Sequence, residues 1–230
     1  MTGAARRLGR EIALTLARDG FDVAISYRGS VEAAEETAAE IRTLGVEGFA
    51  VPLDVRSEAG AKAAVAAVLE RFGRLDVLVN NAAVFESVPL DEITLAQWDA
   101  VFETNARGPF LVARVALPAL KTAGGRIVHL GSLGGSHAWA THGHYCASKA
   151  ALEMLTKVMA KAFAPEVSVN CVAPGFIAFE SDAQAAHFAA KTPMARNGSV
   201  WDVAEAVRFF ATGPHFITGQ ILTVDGGLGL

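Results

Sequence analysis

Short apolar runs alternate with longer amphipathic stretches along most of this chain. The apolar runs end near residues 27, 55, 80, 130, 172 and 224, and most of the segments between them have helical spacing. This alternation is typical of strands joined by crossover helices, which form a parallel sheet with helices on both faces. We therefore predict an α/β fold with a doubly wound parallel sheet in three αβα layers. No repeat or linker interrupts the pattern, so we expect a single domain over residues 1–230.

Glycines and capping residues set the predicted boundaries. Gly20 and Gly45 end two helices, Ser30 is placed to cap the second, and Thr94 with Gln97 forms a capping-box pattern. Residues 176–200 are irregular and Ala-rich, and we predict a substrate loop there. The predicted helices cover residues 8–19, 30–44, 57–73, 144–163 and 201–211, and a further helix begins at residue 94. The predicted strands cover residues 21–27, 75–80, 126–130, 167–172 and 221–224, and a further strand ends at residue 55.

The chain opens directly on a glycine-rich turn at Met1-Thr2-Gly3. A doubly wound fold normally has a strand before such a turn, in the middle of the sheet. That strand is almost absent here, so we expect a truncated first strand. Two explanations stay open: the start is cut short, or the strand is vestigial.

Composition excludes several classes of protein. Hydrophobic residues make up 52% of the chain, which argues against disorder, and 20 basic against 24 acidic residues give a net charge of −4. This balance does not favour a nucleic-acid or membrane-surface partner. The two cysteines, Cys146 and Cys171, give no disulfide framework, and no signal peptide or membrane span is apparent. A cytoplasmic location is therefore expected.

The turn at residues 2–9 has the spacing of a phosphate-binding loop of the Rossmann type. Gly3 allows a tight turn, and Gly9 lets the following helix approach both the sheet and a pyrophosphate. The helix N-terminus would then present unpaired N–H groups to phosphate. A capped helix with an extra glycine is the alternative, because glycine motifs are common.

The end of the second predicted strand indicates which dinucleotide would bind. Enzymes that prefer NAD usually have a carboxylate there, but this chain reads Ser26-Tyr27-Arg28. A guanidinium binds a 2′-phosphate through two hydrogen bonds, so Arg28, with Arg6 as a second candidate, predicts NADP(H). The alternative for Arg28 is a solvated loop charge.

Tyr145 and Lys149 are four residues apart in a helical segment, which places them on one face. A nearby ammonium favours the phenolate, so we expect Lys149 to lower the pKa of Tyr145 and make it a proton donor to a carbonyl oxygen. Ser132 follows an apolar strand and could hydrogen-bond the same oxygen. The Tyr-x-x-x-Lys spacing alone is weak evidence, since surface helices contain it by chance.

The order and spacing of these motifs, together with further matching segments, make the chain resemble the short-chain dehydrogenase/reductase family over essentially its whole length. The resemblance implies that Lys149 also holds the nicotinamide ribose and that Asn105 kinks its helix and holds a water that relays protons. The matching segments are Thr2 to Gly9, Leu53-Asp54-Val55, Asn80-Asn81-Ala82-Ala83, Asn105, Gly131-Ser132, Tyr145 to Lys149, Pro174-Gly175, Thr218-Gly219 and Val224-Asp225-Gly226-Gly227.

The resemblance also implies a set of site residues. Asp54 and Val55 would meet the adenine, Asn81 and Ala82 would lie along the cofactor, and a homo-oligomer, a tetramer or a dimer, is expected. The implied catalytic residues are Asn105, Ser132, Tyr145 and Lys149, and the cofactor-binding residues are Gly3, Arg6, Arg7, Leu8, Gly9, Tyr27, Arg28, Asp54, Val55, Asn81, Ala82, Ala83, Tyr145, Lys149, Pro174, Gly175 and Ile177.

Three departures from the family pattern bear on the substrate. Arg7 and Ala83 stand where the family often has Gly, and Phe179 stands near a usual Thr. The turn with Arg7, together with Phe85, resembles the pteridine reductase branch, but Ser132 stands where that branch carries Asp. We therefore predict a carbonyl reductase, with pteridine reduction as the alternative. A non-catalytic NADP(H)-binding regulator is less favoured, because such proteins usually lose the Tyr or the Lys.

Aromatic side chains predict the character of the substrate pocket. Phe85, Trp139 and Phe179 could line an apolar pocket for the carbonyl or pteridine substrate, unless some of them pack in the core. Three histidines, His137, His142 and His144, lie between Ser132 and Tyr145, but no third-ligand pattern supports a metal site. We expect no metal.

Overall fold

The computed structural model describes residues 1–179 and 182–230. Eight α-helices and six β-strands are found in this part of the chain. The helices are α1 (Arg7–Arg18), α2 (Val31–Thr43), α3 (Glu58–Phe72), α4 (Leu95–Phe102), α5 (Gly108–Ala123), α6 (Gly143–Phe163), α7 (Ala185–Lys191) and α8 (Val200–Thr212), and the strands are β1 (Val23–Tyr27), β2 (Gly48–Pro52), β3 (Val77–Asn80), β4 (Arg126–Leu130), β5 (Ser168–Pro174) and β6 (Ile221–Val224).

The strands are parallel throughout but form two sheets, β1-β2 and β3-β4-β5-β6. The first four residues lie between the two sheets and bridge them. The Thr2 N–H donates to Val79 O at 2.9 Å, and the Ser26 N–H donates to Met1 O at 2.9 Å. The short first strand expected from the sequence is thus a single bridge between Thr2 and Asn80, and a cavity of about 260 Å³ lies beside it.

Helices cover both faces of the sheets, as the hydrophobic pattern predicts. Buried residues of α1, α2 and α8 form one apolar cluster with β1 and the inner strands. Buried residues of α3, α5 and α6 form a second cluster on the opposite face, and Leu120 and Ile127 in it are fully buried. The doubly wound, three-layer prediction is confirmed.

Three local features differ from the sequence predictions. Ser30 does not cap α2, because its Oγ instead accepts a hydrogen bond from Arg6. The segment 176–200 is not wholly irregular: it contains α7, while residues 180 and 181 lie outside the described part. The sequence reading did not resolve α5, which continues from α4 through one π-helical segment, Glu103–Arg107. None of the helices described is long and apolar enough to cross a membrane.

Candidate active site

The predicted phosphate turn lies at the carboxyl ends of the parallel strands. Thr2 fixes it to the segment after β3, because its Oγ1 accepts hydrogen bonds from the N–H groups of Asn81 and Ala82, both 3.0 Å long. The Asn81 side chain donates in return to the carbonyl oxygens of Thr2 and Gly3, at 3.1 and 2.8 Å. These reciprocal hydrogen bonds hold the turn against the sheet.

Two glycines keep the space over this turn open. Gly3 has a φ of +61°, and a Cβ on it would come within 2.9 Å of the Ala82 Cα. A Cβ on Gly9 would come within 2.7 Å of the Asn81 Nδ2, so only glycine fits without a shift. Leu8 packs against the first core cluster, and α1 begins here with no side-chain cap. The first turn of α1 can therefore donate N–H groups to an anion.

A cavity of about 290 Å³ lies beside the turn, where β1, β2 and β3 end. The residues predicted for the adenosine half of a dinucleotide meet in it. Its lining residues are Gly3, Tyr27, Arg28, Leu53, Asp54, Val55, Asn81, Ala82, Ala83, Val84 and Thr104. The open turn, the uncapped helix start and this cavity together fit a dinucleotide.

Asp54 in this cavity is bound by Arg56, which the sequence analysis did not single out. Nη2 of Arg56 lies 2.6 Å from Oδ2 of Asp54, and Nε lies 2.9 Å from Oδ1. Hydrogen bonding from Arg56 lowers the pKa of Asp54 to about 2, and the charge of Arg28 acts in the same direction. Asp54 therefore stays ionised at neutral pH, and Arg28 is close enough to influence it.

Arg28 and Arg6 both lie near the end of β1. Arg28 is exposed and lines the cavity, and Arg6 donates from Nη2 to the Oγ of Ser30. Residues 26–30 include no carboxylate. This end of the cavity is therefore suited to an additional phosphate group.

Asn105 is fully buried in the π-helical segment Glu103–Arg107, so the helix departs from regular α-helical geometry at the position where the resemblance implies a kink. Its Nδ2 donates to Val84 O at 2.9 Å and to the Oγ of Ser148 at 3.1 Å, and its Oδ1 accepts from the Val84 N–H at 2.8 Å. Asn105 thus links the cavity wall at Val84 to the helix that carries Tyr145 and Lys149. The implied water relay stays a prediction.

Ser132, Tyr145 and Lys149 come together beyond the end of β4. Ser132 follows β4 in extended conformation, and its Oγ accepts from the Gly134 N–H at 3.1 Å. Tyr145 and Lys149 lie on the buried face of α6, and Nζ of Lys149 is 5.8 Å from the centre of the Tyr145 ring. Nζ also donates to Leu130 O at 2.7 Å. Tyr145 and Lys149 therefore lie on the side of α6 that faces the end of β4, next to Ser132.

Burial dominates the ionisation of these groups. It raises the pKa of Tyr145, while the Ser132 hydroxyl acts in the opposite direction. Burial also lowers the pKa of Lys149 to about 8. The net shift in the pKa of Tyr145 in the protein alone is therefore upward, opposite to the lowering expected from Lys149, whose Nζ is directed to the Leu130 carbonyl.

Aromatic rings surround Tyr145 on the open side. Phe85 meets it edge to face, with centroids 4.8 Å apart, and Trp139 lies parallel to it at 6.3 Å. His142 stacks on Phe85 at 4.8 Å and contacts Trp139 at 5.7 Å. Phe85 is 62% exposed, so it is available to a ligand and does not belong to the core. The sequence analysis considered His142 only as a possible metal ligand.

The loop after β5 forms the other wall. The Gly175 N–H donates to Val224 O at 3.0 Å, and Ile177 forms a bridge with Gly198. Pro174 ends β5 immediately before this loop. Phe176 stacks on Phe188 of α7 at 4.1 Å, so it packs within the loop. Phe179 is 37% exposed.

The histidines near the site do not form a ligand cluster. His137 is hydrogen-bonded to Gly229 O at 2.9 Å, His144 is fully buried, and His142 stacks on Phe85. Within residues 1–179 and 182–230, no group of three or more His, Cys, Asp or Glu residues is arranged to hold a metal ion.

Comparison with known proteins places this site in context. A family model described as Enoyl-(Acyl carrier protein) reductase matches residues 3–229. The chain is 39% identical to the 3-oxoacyl-(acyl-carrier-protein) reductase FabG of Staphylococcus aureus over 236 residues, covering 99% of this chain and 96% of that protein. It is 38% identical to the 3-oxoacyl-(acyl-carrier-protein) reductase of Synechocystis over 234 residues, covering 99% and 95%.

Solved structures agree with the sequence relatives. A dehydrogenase/reductase from Sinorhizobium meliloti superposes with a TM-score of 0.95 at 34% identity, covering 100% of this chain and 93% of that one. Acetoin dehydrogenase from Salmonella typhimurium superposes with a TM-score of 0.90 at 33% identity, covering 99% and 93%. The similarity therefore spans the sequence and the fold of nearly the whole chain.

Proposed function

Because this chain belongs to the short-chain dehydrogenase/reductase family, we propose that it is an NADP(H)-dependent oxidoreductase that reduces the carbonyl group of a ketone or 3-oxo substrate. The observation that carries the proposal is the presence of Ser132, Tyr145 and Lys149 together in a fold that also has a cavity lined by the residues expected for the adenosine half of a dinucleotide. Two of the relatives have names that specify reduction of a 3-oxoacyl group, which supports a carbonyl substrate.

The nicotinamide cofactor, when bound, supplies the hydride. Ser132 then holds the carbonyl oxygen by a hydrogen bond, and Tyr145 gives its phenolic proton to that oxygen as negative charge develops on it. Lys149, as an ammonium, stabilises the phenolate that remains. The aromatic wall of Phe85 and Trp139 keeps water from the carbonyl and selects an apolar substituent.

The choice of NADP(H) rests on the end of β1. Arg28 lines the cavity there, Arg6 approaches the adjoining Ser30, and residues 26–30 include no carboxylate that would repel a 2′-phosphate. Gly3, Gly9 and the first turn of α1 would hold the pyrophosphate. Pro174, Gly175 and Ile177 are proposed to border the nicotinamide.

Pteridine reduction is the second candidate. Arg7 at the turn and the exposed ring of Phe85 favour it, since a guanidinium could meet a polar ring edge while the phenyl stacks on the ring face. Ser132 favours the ketone, because a hydroxyl hydrogen-bonds a carbonyl oxygen without adding a charge. The presence of Asn105, Ser132, Tyr145 and Lys149 together argues against a non-catalytic regulator.

Self-association is also proposed, as a homotetramer or a dimer. Apolar side chains on α4, α5 and α6 are exposed on the single chain, which supports burial against other copies. These are Leu95, Trp98, Phe110, Met154 and Val158. Light scattering at micromolar concentration tests this, and a stable monomer would contradict it.

A panel of NADPH-oxidation assays tests the function. The panel contains β-keto esters, diketones, aryl ketones and dihydropteridines, with Tyr145→Phe as the inactive control. Turnover of ketones that depends on Tyr145 supports the proposal. Turnover of dihydropteridines alone favours the second candidate, and cofactor binding without any turnover favours the regulator.

A further inference from the structure

Glu153 lies one helical turn beyond Lys149 on α6, and its carboxyl group faces the loop that carries Ser132. A Cβ on Gly135 would overlap Oε1 of Glu153, and a Cβ on Gly131 would come within 3.3 Å of the same oxygen. The carboxyl group therefore packs against the two glycines that flank Ser132. This close approach is possible because neither residue has a side chain.

The mechanism proposed above gives the Glu153 carboxyl group no role. Its Oε1 is buried and has no hydrogen-bond partner. Burial raises the pKa of Glu153, while the charges of Lys157 and Lys149 and the backbone N–H of Ser132 act in the opposite direction. Holding a half-buried carboxylate beside the catalytic loop costs folding free energy unless its charge is paired with a nearby positive group.

The charge on Glu153 acts on Lys149, as the titratable groups around the Lys149 ammonium indicate. Burial draws the pKa of Lys149 down to about 8, and Cys171 from β5 and Glu153 from α6 are the acidic groups that oppose this. Burial raises the pKa of the Cys171 thiol to about 12, so it is neutral at physiological pH. Burial lowers the pKa of His129, on β4, to about 3, so it is also neutral. Glu153 therefore provides the opposing charge among the residues that the structure describes.

We propose that Glu153 is a positioning residue that acts through Lys149, its carboxylate keeping the buried ammonium protonated while it braces the Ser132 loop. The inference rests on the proposed function, since the charge on Lys149 matters to catalysis only if Tyr145 passes through its phenolate. With the carboxylate in place, Lys149 stays charged through neutral pH despite its burial. Lys157 is exposed on the same helix, and its charge favours the ionised form of Glu153 by acting to lower the pKa of that carboxyl group.

Titration of Lys149 by NMR tests this without any substrate. The protein is labelled with ¹³C,¹⁵N-lysine, and the Lys149 signal is assigned by its loss in Lys149→Arg. We expect the midpoint of Lys149 to fall by about 0.5 to 1 pH unit in Glu153→Gln, because a neutral amide replaces the carboxylate at the same place. Glu153→Asp, which keeps the charge, should hold the midpoint close to that of the wild type. Glu153→Ala, which also removes the charge, serves as the second variant if Glu153→Gln does not fold.

Glu166→Gln is the matched control, since it removes an exposed carboxylate that lies 3.6 Å from Lys121. It should leave the Lys149 midpoint unchanged. An unchanged midpoint in the variant that removes the charge, Glu153→Gln or Glu153→Ala, overturns the inference, whatever the enzyme reduces.

A pH profile of kcat then connects the charge to catalysis. The alkaline limb of ketone reduction should move to lower pH in Glu153→Gln by the amount that the Lys149 midpoint moves. A midpoint that moves while the alkaline limb stays fixed overturns the catalytic part of the inference. A midpoint that moves in a protein that turns over no ketone supports the role of Glu153 toward Lys149 and contradicts the proposed function instead.

Discussion

The guanidinium carbon of Arg7 lies 5.1 Å from the centre of the Phe179 ring, so the glycine-rich turn and the loop after β5 are in contact. Both residues differ from the family pattern, and the structure places their side chains in contact. Arg7 also has a φ of +50°, in the left-handed region that favours glycine. Its backbone is thus strained by about 1 kcal/mol or more, and the side-chain contact offsets part of that strain.

We expect this contact to retain the bound cofactor. Arg7→Gly should raise the Kd of NADPH and of NADH by similar factors, since the pyrophosphate is common to both. Phe179→Leu should raise them about 2- to 5-fold, the range of an exposed cation–π pair. In Arg7→Gly/Phe179→Leu the two effects should be less than additive. Fluorescence titration measures each Kd, with Phe216→Leu as a fully exposed control. Strict additivity would show that the two residues act independently.

Arg28 should decide between the two cofactors. Arg28→Ala should raise the KM for NADPH about 10- to 100-fold and leave that for NADH nearly unchanged, because only NADPH has a phosphate for a charge-assisted hydrogen bond. Steady-state kinetics with both cofactors measures this. Arg18→Ala is a suitable control, since Arg18 pairs with Glu11 away from the cavity. A wild-type enzyme with the higher kcat/KM for NADH would refute the assignment.

Tyr145→Phe should lower kcat about 1,000-fold and leave the Kd of NADPH within about twofold, since it removes the proton and keeps the ring. Ser132→Ala should also lower kcat for ketones, because the carbonyl oxygen loses its hydrogen bond. Stopped-flow measurement of NADPH oxidation, with fluorescence titration for binding, separates the two quantities. Near-normal turnover by Tyr145→Phe would contradict the catalytic assignment.

His129 should make folding stability depend on pH. It is fully buried, its Nδ1 lies 3.2 Å from the Asn80 Nδ2, and burial lowers its pKa from 6.5 to about 3. Between these values the unfolded chain binds a proton that the folded protein does not, so stability is complete above pH 6.5 and falls as the pH falls toward 3. From pH 7 to pH 5 this loss is about 2 kcal/mol.

Urea unfolding of His129→Gln at pH 7 and pH 5 measures this contribution. The variant should lose less stability over the interval than the wild type. His137→Gln, at an exposed histidine, should behave like the wild type. Equal pH dependence in all three proteins would remove His129 as the cause.

The sequence predicts elements well where a local signal marks their ends. The capping box of Thr94 and Gln97 forms as expected, and the strand at Arg126–Leu130 has its predicted bounds. Helix α5 ends at Gly124, a glycine in the left-handed region, but its start is not marked by a cap, because a π-helical segment joins it to α4, and Pro118 lies within it. Tertiary packing, which local propensity does not report, determines that helix.

Site residues differ in the same way. Gly3, Arg28, Asp54 and Asn81 could be located because motif spacing and strand ends indicate them, and the structure brings them to one cavity. The roles of His142 and Glu153 could not be predicted from the sequence. The role of His142 depends on its contact with Phe85, and that of Glu153 depends on its contacts with the loop glycines. Spacing of four from Lys149 was the available signal for Glu153, and it is shared by many surface residues.

The division of the strands into two sheets has a consequence for cooperativity. In the described part of the chain, β1 and β3 are connected through backbone hydrogen bonds of residues 1–4. The hydrogen bonding between the two sheets is therefore much less extensive than that within each sheet. Amide hydrogens of β1 and β2 should therefore exchange as one group, at a lower free energy of opening than those of β3–β6. The cavity is lined by Tyr27 and Leu53 from one side of the division and by Asn81 from the other. A bound dinucleotide would thus link the two groups, and hydrogen exchange in its presence should merge them into one cooperative unit.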